Sequence, residues 1–182
     1  MTCGERRFVV VLAGTAEYME DDMDPILEEL KKNGRESAAN LAKMLGMTEE
    51  EVHRKVEGYK AAGVIRGFKA ILNPNKIETT DVHAVIGLKI RPSKGSGFGD
   101  LAAQIARFKE VDSCYLMSGG YDLLLFVTGR SLQEVAHFVA ADLSTLDGVL
   151  STATHFMLRT YKEQGVNMED AAADDARLSV SP

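Results

Sequence analysis

The chain contains 182 residues, of which 45% are hydrophobic and 26% are charged. This balance is typical of soluble globular proteins, and it excludes a disordered chain because enough apolar side chains are present to offset the entropy lost on folding. The formal net charge of −6 argues against non-specific nucleic-acid binding by the chain as a whole, since contacts with phosphates need clustered Lys and Arg side chains. Any DNA contact must therefore come from a local basic surface.

The cysteine content and the apolar runs predict a cytoplasmic protein. Cys3 and Cys114 are too far apart in the sequence to suggest a disulfide framework or a metal site. No stretch approaches the roughly 20 apolar residues that a membrane-spanning helix requires. Residues 8–13 form a short apolar run, but the acidic stretch 17–24 follows it, so residues 1–20 are interpreted as an N-terminal extension rather than a secretion signal.

Capping residues mark two helices at the start of the first predicted domain, residues 21–74. Asp24 caps the first helix, Pro25 occupies its first position, and Gly34 ends it. Ser37 caps the second helix and Gly46 stops it. A single tight turn then leads to a third helix.

The third helix is predicted to open with a capping box, in which the side chains of Thr48 and Glu51 each accept a hydrogen bond from the backbone amide of the other residue. Gly63 ends this helix, and residues 64–72 are predicted to form two short strands around a tight turn before Pro74 breaks the pattern. Three helices and a hairpin make a winged helix-turn-helix, whose third helix is the one that enters a DNA major groove. The same arrangement also serves in protein docking, so the fold alone does not establish DNA binding.

The outer side of the third helix carries the candidate DNA contacts. Arg54 is the best candidate for a base contact, because a guanidinium group bonds guanine bidentately. The helix nevertheless begins Glu49-Glu50-Glu51, carboxylates that suit the helix dipole but repel phosphate. We therefore expect weak, salt-sensitive binding by one dimer that becomes useful only when several dimers act together. The other candidate contacts on the second and third helices and the wing are Lys43, His53, Lys55, Lys60, Arg66 and Lys69.

A second pattern begins after a linker at residues 75–80 and extends over residues 81–164. Strands are predicted at 82–90, 111–117, 121–128 and 149–161, and helices at 98–108 and 132–141. The order βαββαβ is that of the ferredoxin-like sandwich domain, in which two helices cover one face of a four-stranded antiparallel sheet. The chain as a whole is therefore predicted to be an α+β protein of two domains.

The second face of this sheet is left without a cover. An uncovered apolar face needs a partner, so we expect a homodimer in which two sheets pack face to face. The residues predicted to be buried there are Val85, Gly87, Leu123, Leu125 and Phe156. Residues 165–182 contain few core-forming side chains and are predicted to be a disordered tail.

Short runs of residues occur in both predicted domains in the order and at the spacing of one known family. They are residues 26–35, 41–42, 45–48, 63–65 and 72–74 in the first domain, and 111, 114–124, 146–149 and 152–154 in the second. Together they resemble the Lrp/AsnC, or feast/famine, family from about Asp22 to Gln164. The resemblance implies a regulator that binds pseudo-palindromic DNA, dimerises through its second domain, assembles further into tetramers or octamers, and responds to amino acids or related small metabolites.

The resemblance also implies where an amino-acid effector binds. In the family the effector lies between dimers, held by the turn between the second and third strands and by hydroxyl groups on the last strand. The corresponding residues here are Ser118, Gly119, Gly120, Tyr121, Asp122, Thr152 and Thr154. Glycines let backbone groups approach a zwitterion, the aspartate is suited to accept from its ammonium group, and the threonines are suited to donate to its carboxylate. These residues also have a purely structural interpretation. The glycines fit a hairpin turn, the aspartate fits a turn cap, and the threonines fit ordinary β-branched strand positions.

Two departures from the family bear on function. Many relatives carry Asp or another polar residue where this chain has Gly120, so the preferred effector does not follow from the resemblance. Relatives usually begin the third helix with a Ser-Pro-type turn and carry several arginines there, whereas this helix begins with three glutamates. A metabolite-binding oligomer that has lost DNA binding is therefore an alternative function.

An enzyme is the remaining alternative, because some proteins with this two-domain layout are tetrapyrrole decarboxylases. The four histidines lie on separate predicted elements, at His53, His83, His137 and His155. No Ser-His-Asp, Cys-His or metal-binding spacing accompanies them. We therefore predict a chain without catalytic residues, metal ions or cofactors, whose partners are double-stranded DNA, further copies of itself and an amino-acid effector.

Overall fold

The computed structural model describes residues 23–92 and 97–169. The chain divides into two compact units, with the boundary between Ala70 and Ile71. Residues 1–20, predicted to be an extension, and residues 170–182 of the predicted tail lie outside the described residues.

Three helices form the N-terminal unit, and capping residues set where they begin. The helices are α1 (Pro25–Lys32), α2 (Ala38–Leu45) and α3 (Glu49–Ala61). The hydroxyl of Ser37 accepts from the Asn40 amide at 3.1 Å, and Thr48 and Glu51 form the predicted capping box. These bonds satisfy backbone amides that a helix start otherwise leaves unpaired. The buried core between the helices consists of Ile26, Leu41, Ala42 and Val52.

The segment after α3 does not form the predicted wing strands. Residues 64–72 contain no β-strand. The Phe68 side chain instead lies against the turn between α1 and α2, so close that a Cβ added at Gly34 would be 2.9 Å from the Phe68 ring. An isolated two-stranded hairpin is only marginally stable in water. The N-terminal unit is therefore a helix-turn-helix whose last segment is held by a side-chain contact rather than by a strand ladder.

A four-stranded antiparallel sheet with helices on one side forms the C-terminal unit. Its elements are β1 (Val82–Ile90), α4 (Gly99–Ile105), β2 (Val111–Leu116), β3 (Leu123–Gly129), α5 (Leu132–His137), which continues into a π-helical stretch at Phe138–Leu143, and β4 (Val149–Phe156). The strand order is β2-β3-β1-β4, and each neighbouring pair is antiparallel. This topology confirms the predicted βαββαβ, ferredoxin-like arrangement.

The helices cover one face of this sheet and enclose the core. The buried side chains that β1 and β3 contribute are Ala84, Ile86, Leu88, Ile90, Leu123, Leu125 and Val127. They pack against Ile105 of α4, Val135 of α5, and Phe138 and Leu143 of the π-helical stretch. Alternate residues of both strands are fully buried, which is the pattern expected of a sheet with one covered face.

Three residues predicted for the uncovered face lie on the covered one. Leu123 and Leu125 are fully buried on the helix side. Phe156 belongs to the same face, since its register partner on β1 is a core residue. Residues 123–127 are all apolar, so they show no alternation from which the buried face could be identified. The uncovered face presents Val85, Gly87, Leu124 and Phe126.

The chain beyond β4 is ordered further than the sequence suggests. The last strand of the sheet ends at Phe156 rather than at residue 161, and a small hairpin follows, formed by β5 (Lys162–Glu163) and β6 (Val166–Asn167). Met168 is 4% exposed. The prediction of disorder from residue 165 is therefore wrong through residue 169, because Met168 finds a buried position that depends on residues distant in the sequence.

The hairpin is tied to the segment that precedes β1. The side-chain amide of Asn73 donates to the backbone oxygen of Met168 at 2.7 Å, and that of Asn75 donates to the oxygen of Thr160 at 3.2 Å. Asn73 also caps a short 3-10 helix at Pro74–Lys76. These bonds fix the segment by which the chain enters the C-terminal unit.

A buried carboxylate joins the start of α1 to the middle of α3. Asp24 is 7% exposed, and its Oδ1 accepts from the Ile26 amide at 2.8 Å while Oδ2 accepts from Lys55 Nζ at 2.8 Å. Burial alone would raise the pKa of the Asp24 carboxyl, but hydrogen bonds from Lys55, Tyr59 and the Ile26 amide outweigh it and hold the pKa below its usual value. Burial, and then the contact with Asp24, raise the pKa of Tyr59.

We expect Asp24→Asn to loosen α3, because the amide keeps the cap but loses the charge that Lys55 pairs with. The local free energy of opening should fall by about 1–2 kcal/mol, less than for a fully buried pair since the Lys55 side chain is 38% exposed. Hydrogen–deuterium exchange of the α3 amides in the whole chain measures this. Lys32→Ala is the control, because it breaks only an exposed ion pair with Glu29 and should change exchange very little.

The same pair makes the N-terminal unit sensitive to acid. Because the Asp24 pKa is lowered in the folded state, its stabilisation is complete above the unfolded aspartate pKa of about 4 and is lost as the pH falls through the lower folded value. Asp24→Asn should remove that part of the acid dependence. Identical exchange in the wild type and the variant at pH 7 would contradict the role given to this carboxylate.

We expect Gly129→Ala to destabilise the C-terminal unit by about 1–3 kcal/mol through overpacking. A Cβ at Gly129 would lie 2.9 Å from Cγ2 of Val135, which is 1% exposed, and 3.5 Å from the Val135 amide nitrogen. Urea unfolding followed by circular dichroism measures the change. Gly99→Ala is the matched control, because nothing lies within 4 Å of its Cβ position; a loss of equal size there would show that the contact with Val135 is not the cause.

Candidate DNA-binding and effector sites

The exposed side of α3 carries a stripe of polar residues. Glu50, His53, Arg54 and Glu57 recur at helical spacing and are all exposed, while Val52 and Tyr59 face the core. The stripe thus contains a cation, a histidine and two carboxylates. The Arg54 side chain is exposed, and its charge helps to lower the pKa of Glu51, after the larger effects of hydrogen bonds from Thr48.

The N-terminus of α3 is unfavourable for an anion. Hydrogen bonds from the Thr48 backbone amide and then from its hydroxyl lower the pKa of Glu51, which is therefore committed as a carboxylate to the capping box. Glu49 and Glu50 are exposed beside it. The N-terminus of a helix often binds phosphate, because the helix dipole is positive there. In α3 the nearby carboxylates already neutralise this positive potential and would repel a phosphate.

The cations predicted to contact DNA are not equally available. Lys55 is held by the buried Asp24 and therefore supports the fold instead of offering a free charge to phosphate. Lys60 pairs with Glu57 at 2.8 Å, but both side chains are exposed, so a phosphate can replace the carboxylate at little cost. Lys43 and Lys69 are exposed.

Arg66 lies in the segment after α3, where it forms part of a shallow cavity. Its guanidinium carbon would be 3.4 Å from a Cβ added at Gly63, whose φ of +72° requires glycine at this turn. The cavity has a volume of about 340 Å³ and is lined by Lys60, Ile65, Arg66, Gly67 and Phe68. Two cations therefore lie next to an aromatic ring in this cavity.

The predicted effector turn is an exposed loop between β2 and β3. The Met117 amide donates to the oxygen of Asp122 at 2.9 Å and closes the loop, and residues 118–121 are exposed. Gly119 has φ of +135°, which side chains rarely adopt. The backbone of the loop is therefore accessible to a small molecule.

Asp122 and Tyr121 also have structural roles at this loop. The Asp122 amide donates to the oxygen of Leu88, and its Oδ2 accepts from the amide of Ile90 at 2.9 Å. The Tyr121 ring packs over Gly87, within 2.6 Å of the position that a Cβ would occupy there. Asp122 thus acts as the turn cap that the sequence allowed as an alternative, and Tyr121 lies on the uncovered sheet face.

The two predicted threonines share a face of β4, but not the face that carries Tyr121. Thr152 pairs in register with Leu88 and Thr154 with Ile86, which places both threonines on the helix side. Strand β4 forms one edge of the sheet and β2 forms the other. A single chain therefore does not bring the loop and the threonines together into one pocket.

A row of polar side chains crosses three strands on the uncovered face, and no sequence pattern predicted it. The hydroxyl of Thr128 on β3 donates to Asp112 of β2 at 2.5 Å, and Nδ1 of His83 on β1 lies 2.8 Å from the same hydroxyl. Because a hydroxyl has one proton and Asp112 takes it, the imidazole must donate. The row therefore links side chains of β1, β2 and β3 through two hydrogen bonds.

Other features that would point to catalysis or membrane insertion are not found in the described ranges. No group of three His, Cys, Asp or Glu residues within 23–92 and 97–169 is placed to hold a metal ion. None of the helices in these ranges has the length and the hydropathy that a membrane span requires. Burial raises the pKa of the Cys114 thiol, which lowers the fraction of reactive thiolate.

Both units match models of known domains. The AsnC-type helix-turn-helix domain matches residues 25–58, and the Lrp/AsnC ligand binding domain matches residues 83–166. YugG of Bacillus subtilis, an uncharacterized HTH-type transcriptional regulator, is 42% identical over 158 residues, which are 86% of this chain and 95% of the relative. The proline dehydrogenase transcriptional activator of Rhizobium radiobacter is 27% identical and is matched over 80% of this chain and 96% of its own length.

Solved structures of similar proteins agree with these matches. Escherichia coli AsnC is 30% identical, with a TM-score of 0.58 over 76% of this chain and 91% of that one. A transcriptional regulator of Neisseria meningitidis in complex with L-methionine is 27% identical, with a TM-score of 0.61 over 78% of this chain and 94% of that one. On the helix-turn-helix, the four-stranded sheet and these matches, the chain belongs to the Lrp/AsnC family of transcriptional regulators.

Proposed function

We propose that the chain binds specific sites on double-stranded DNA through α3 and changes its binding when the C-terminal unit takes up an amino acid. The observation that carries the proposal is the exposed Arg54 on the outer stripe of a capped third helix, within a region that matches the AsnC-type helix-turn-helix. Relatives similar over most of this chain are named as transcriptional regulators, which supports the same function.

Arg54 is proposed to contact a base, and the remaining cations to contact phosphates. It is the arginine of the outer stripe, and a guanidinium group matches the two acceptors of guanine in the major groove. Lys43, Lys60, Arg66 and Lys69 are placed at the ends of α2 and α3 and after α3, where they would flank such a contact. Carboxylates on the same helix reduce the total attraction, so we expect weak binding per dimer and a strong dependence on salt.

A homodimer formed through the uncovered sheet face is part of this proposal. That face presents Val85, Leu124 and Phe126, and the Tyr115 ring packs edge-on against Phe126 with centroids 6.0 Å apart. An apolar sheet face of this kind is stabilised by a matching face from a second copy. Two-fold symmetry would present two α3 helices to a pseudo-palindromic site, and tetramers or octamers would add the cooperativity that weak single contacts need.

An amino acid is the proposed effector, with the β2–β3 loop as its site. The Neisseria relative is described in complex with L-methionine, and this chain has an exposed loop with two glycines in the corresponding domain. Thr152 and Thr154 would meet the same ligand only from another copy, since they lie on the other face of their own sheet. Because a transcriptional regulator must reach chromosomal DNA, we propose a cytoplasmic location.

A metabolite-binding oligomer without DNA binding is the second candidate. It is favoured by the carboxylates at the start of α3 and by the loss of Lys55 to the ion pair with Asp24. Both features lower the attraction between this unit and DNA.

Selection of genomic DNA fragments by the purified chain at about 50 and 200 mM salt tests the function. We expect a few pseudo-palindromic sites to be enriched at the lower salt concentration and much less at the higher one, because release of counterions drives phosphate binding. No enrichment at either concentration would contradict DNA binding and support the metabolite-binding oligomer.

Arg54→Ala tests the assigned base contact. We expect the variant to lose about 1–3 kcal/mol of discrimination at the selected site while keeping most of its non-specific affinity. Lys109→Ala is the control, because it removes one positive charge from an exposed position in the C-terminal unit. Equal affinity of wild type and Arg54→Ala for the selected site would show that Arg54 makes no base contact.

A further inference from the structure

The end of β1 is irregular at Lys89. Pairing of β1 with β4 shifts between Lys89 and Ile90, so that the two residues face Ser151 and Val149 and leave Leu150 without a partner on β1. A bulge of this kind rotates the strand locally and redirects a side chain, and such bulges are common beside functional sites. On the other side of β1, pairing with β3 runs to Leu88 and Leu123, so that the next residues, Lys89 and Asp122, lie beside each other.

Asp122 is the loop residue that meets Lys89. The Ile90 amide fixes one carboxylate oxygen of Asp122, Oδ2, at 2.9 Å. The other oxygen, Oδ1, is 3.6 Å from Lys89 Nζ, which is beyond the range of a hydrogen bond. The carboxylate is therefore oriented by the backbone, while its second oxygen still has acceptor capacity.

The Lys89–Asp122 ion pair is loose, as are Lys109–Glu110 at 3.7 Å and Arg130–Glu134 at 3.8 Å in the same unit. It differs from these two pairs in lying beside the glycines of the exposed loop between β2 and β3. In the single chain the Lys89 and Asp122 side chains are 42% and 25% exposed. Both lie at the loop end of β1, beyond Val85, Leu124 and Phe126 of the proposed dimer face. Opposite charges held close together without a direct hydrogen bond leave each group able to bind a further partner.

We propose that Lys89 and Asp122 bind the charged head of an α-amino acid, with Lys89 holding the carboxylate and Asp122 Oδ1 the ammonium group. The ligand carries both charges and exchanges one ion pair for two charge-assisted hydrogen-bonded contacts, so no net charge is brought to the site. This inference rests on the proposed amino-acid response. It adds Lys89, a β1 residue outside the loop, to that site.

Adjacent residues leave room for the ligand and offer it an apolar surface. Nothing lies within 4 Å of the Cβ position of Gly119 or Gly120, so the loop is open beside Asp122. The Tyr121 ring lies over Gly87, two residues before Lys89 and on the same face of β1. A ring in this position supplies a flat surface for the side chain of the amino acid.

The arrangement predicts which molecules are rejected. A primary amine without the carboxylate would satisfy Asp122 but would leave Lys89 without its ligand partner. We expect the wild-type chain to bind an amino acid about 10- to 100-fold more tightly than the amine of the same side chain, the range set by one charge-assisted hydrogen bond.

Titration calorimetry on the full chain, first with L-methionine and then with the other nineteen proteinogenic amino acids, identifies the tightest ligand. Its decarboxylated amine is then measured with wild type, Lys89→Met, Lys89→Gln and Lys89→Arg. We expect the first two variants to lose most of the preference for the amino acid over the amine while still binding the amine, and Lys89→Arg to keep the preference. Lys109→Met is the control for loss of one charge elsewhere and should behave as wild type.

The outcomes separate this inference from the proposed function. An amino acid that binds wild type and Lys89→Met with the same preference over its amine would overturn the role of Lys89 and leave the amino-acid response standing. Loss of both ligands in Lys89→Met and Lys89→Gln would show that Lys89 supports the fold, and would also overturn the inference. Failure of all twenty amino acids to bind the wild type would overturn the amino-acid response itself.

Discussion

Strand β1 is the element on which the C-terminal unit depends, because its backbone pairs with β3 on one side and with β4 on the other. Its alternate residues Ala84, Ile86 and Leu88 are fully buried beneath the helices. The register of β1 therefore decides which face each neighbouring side chain takes. It places Thr152 and Thr154 on the covered side, and it places Gly87 on the uncovered side, where the Tyr121 ring packs over it.

The end of β1 also explains how one loop can serve both the fold and a ligand. One carboxylate oxygen of Asp122 accepts a hydrogen bond from the Ile90 amide, in place of a strand partner. The other oxygen lies near Lys89 without a hydrogen bond. A structural role and a binding role need not compete when they use different atoms of the same group. The structural bond orients the carboxylate before any ligand arrives, which reduces the ordering cost of binding.

Charge in the N-terminal unit is divided between stability and recognition. Asp24 is buried and takes Lys55 as its partner, so one cation of α3 holds the helix in place. Glu51 completes the cap, and Arg54 extends from the exposed side. The helix is thus firmly positioned but weakly attractive to phosphate. Under the proposed function, binding would depend more on the correct spacing of several copies than on the affinity of one.

The sequence alone was sufficient for local features: the helix starts at Asp24, Ser37 and Thr48, the βαββαβ order and the family resemblance all follow from residues close together in the chain. Other features were decided only by the tertiary structure, because they depend on contacts between residues far apart in the sequence. The buried face of the apolar run 123–127, the docking of Phe68 in place of wing strands, the order at Met168 and the approach of Lys89 to Asp122 are examples. Capping and periodicity act over a few residues, whereas register and burial are set by the whole sheet.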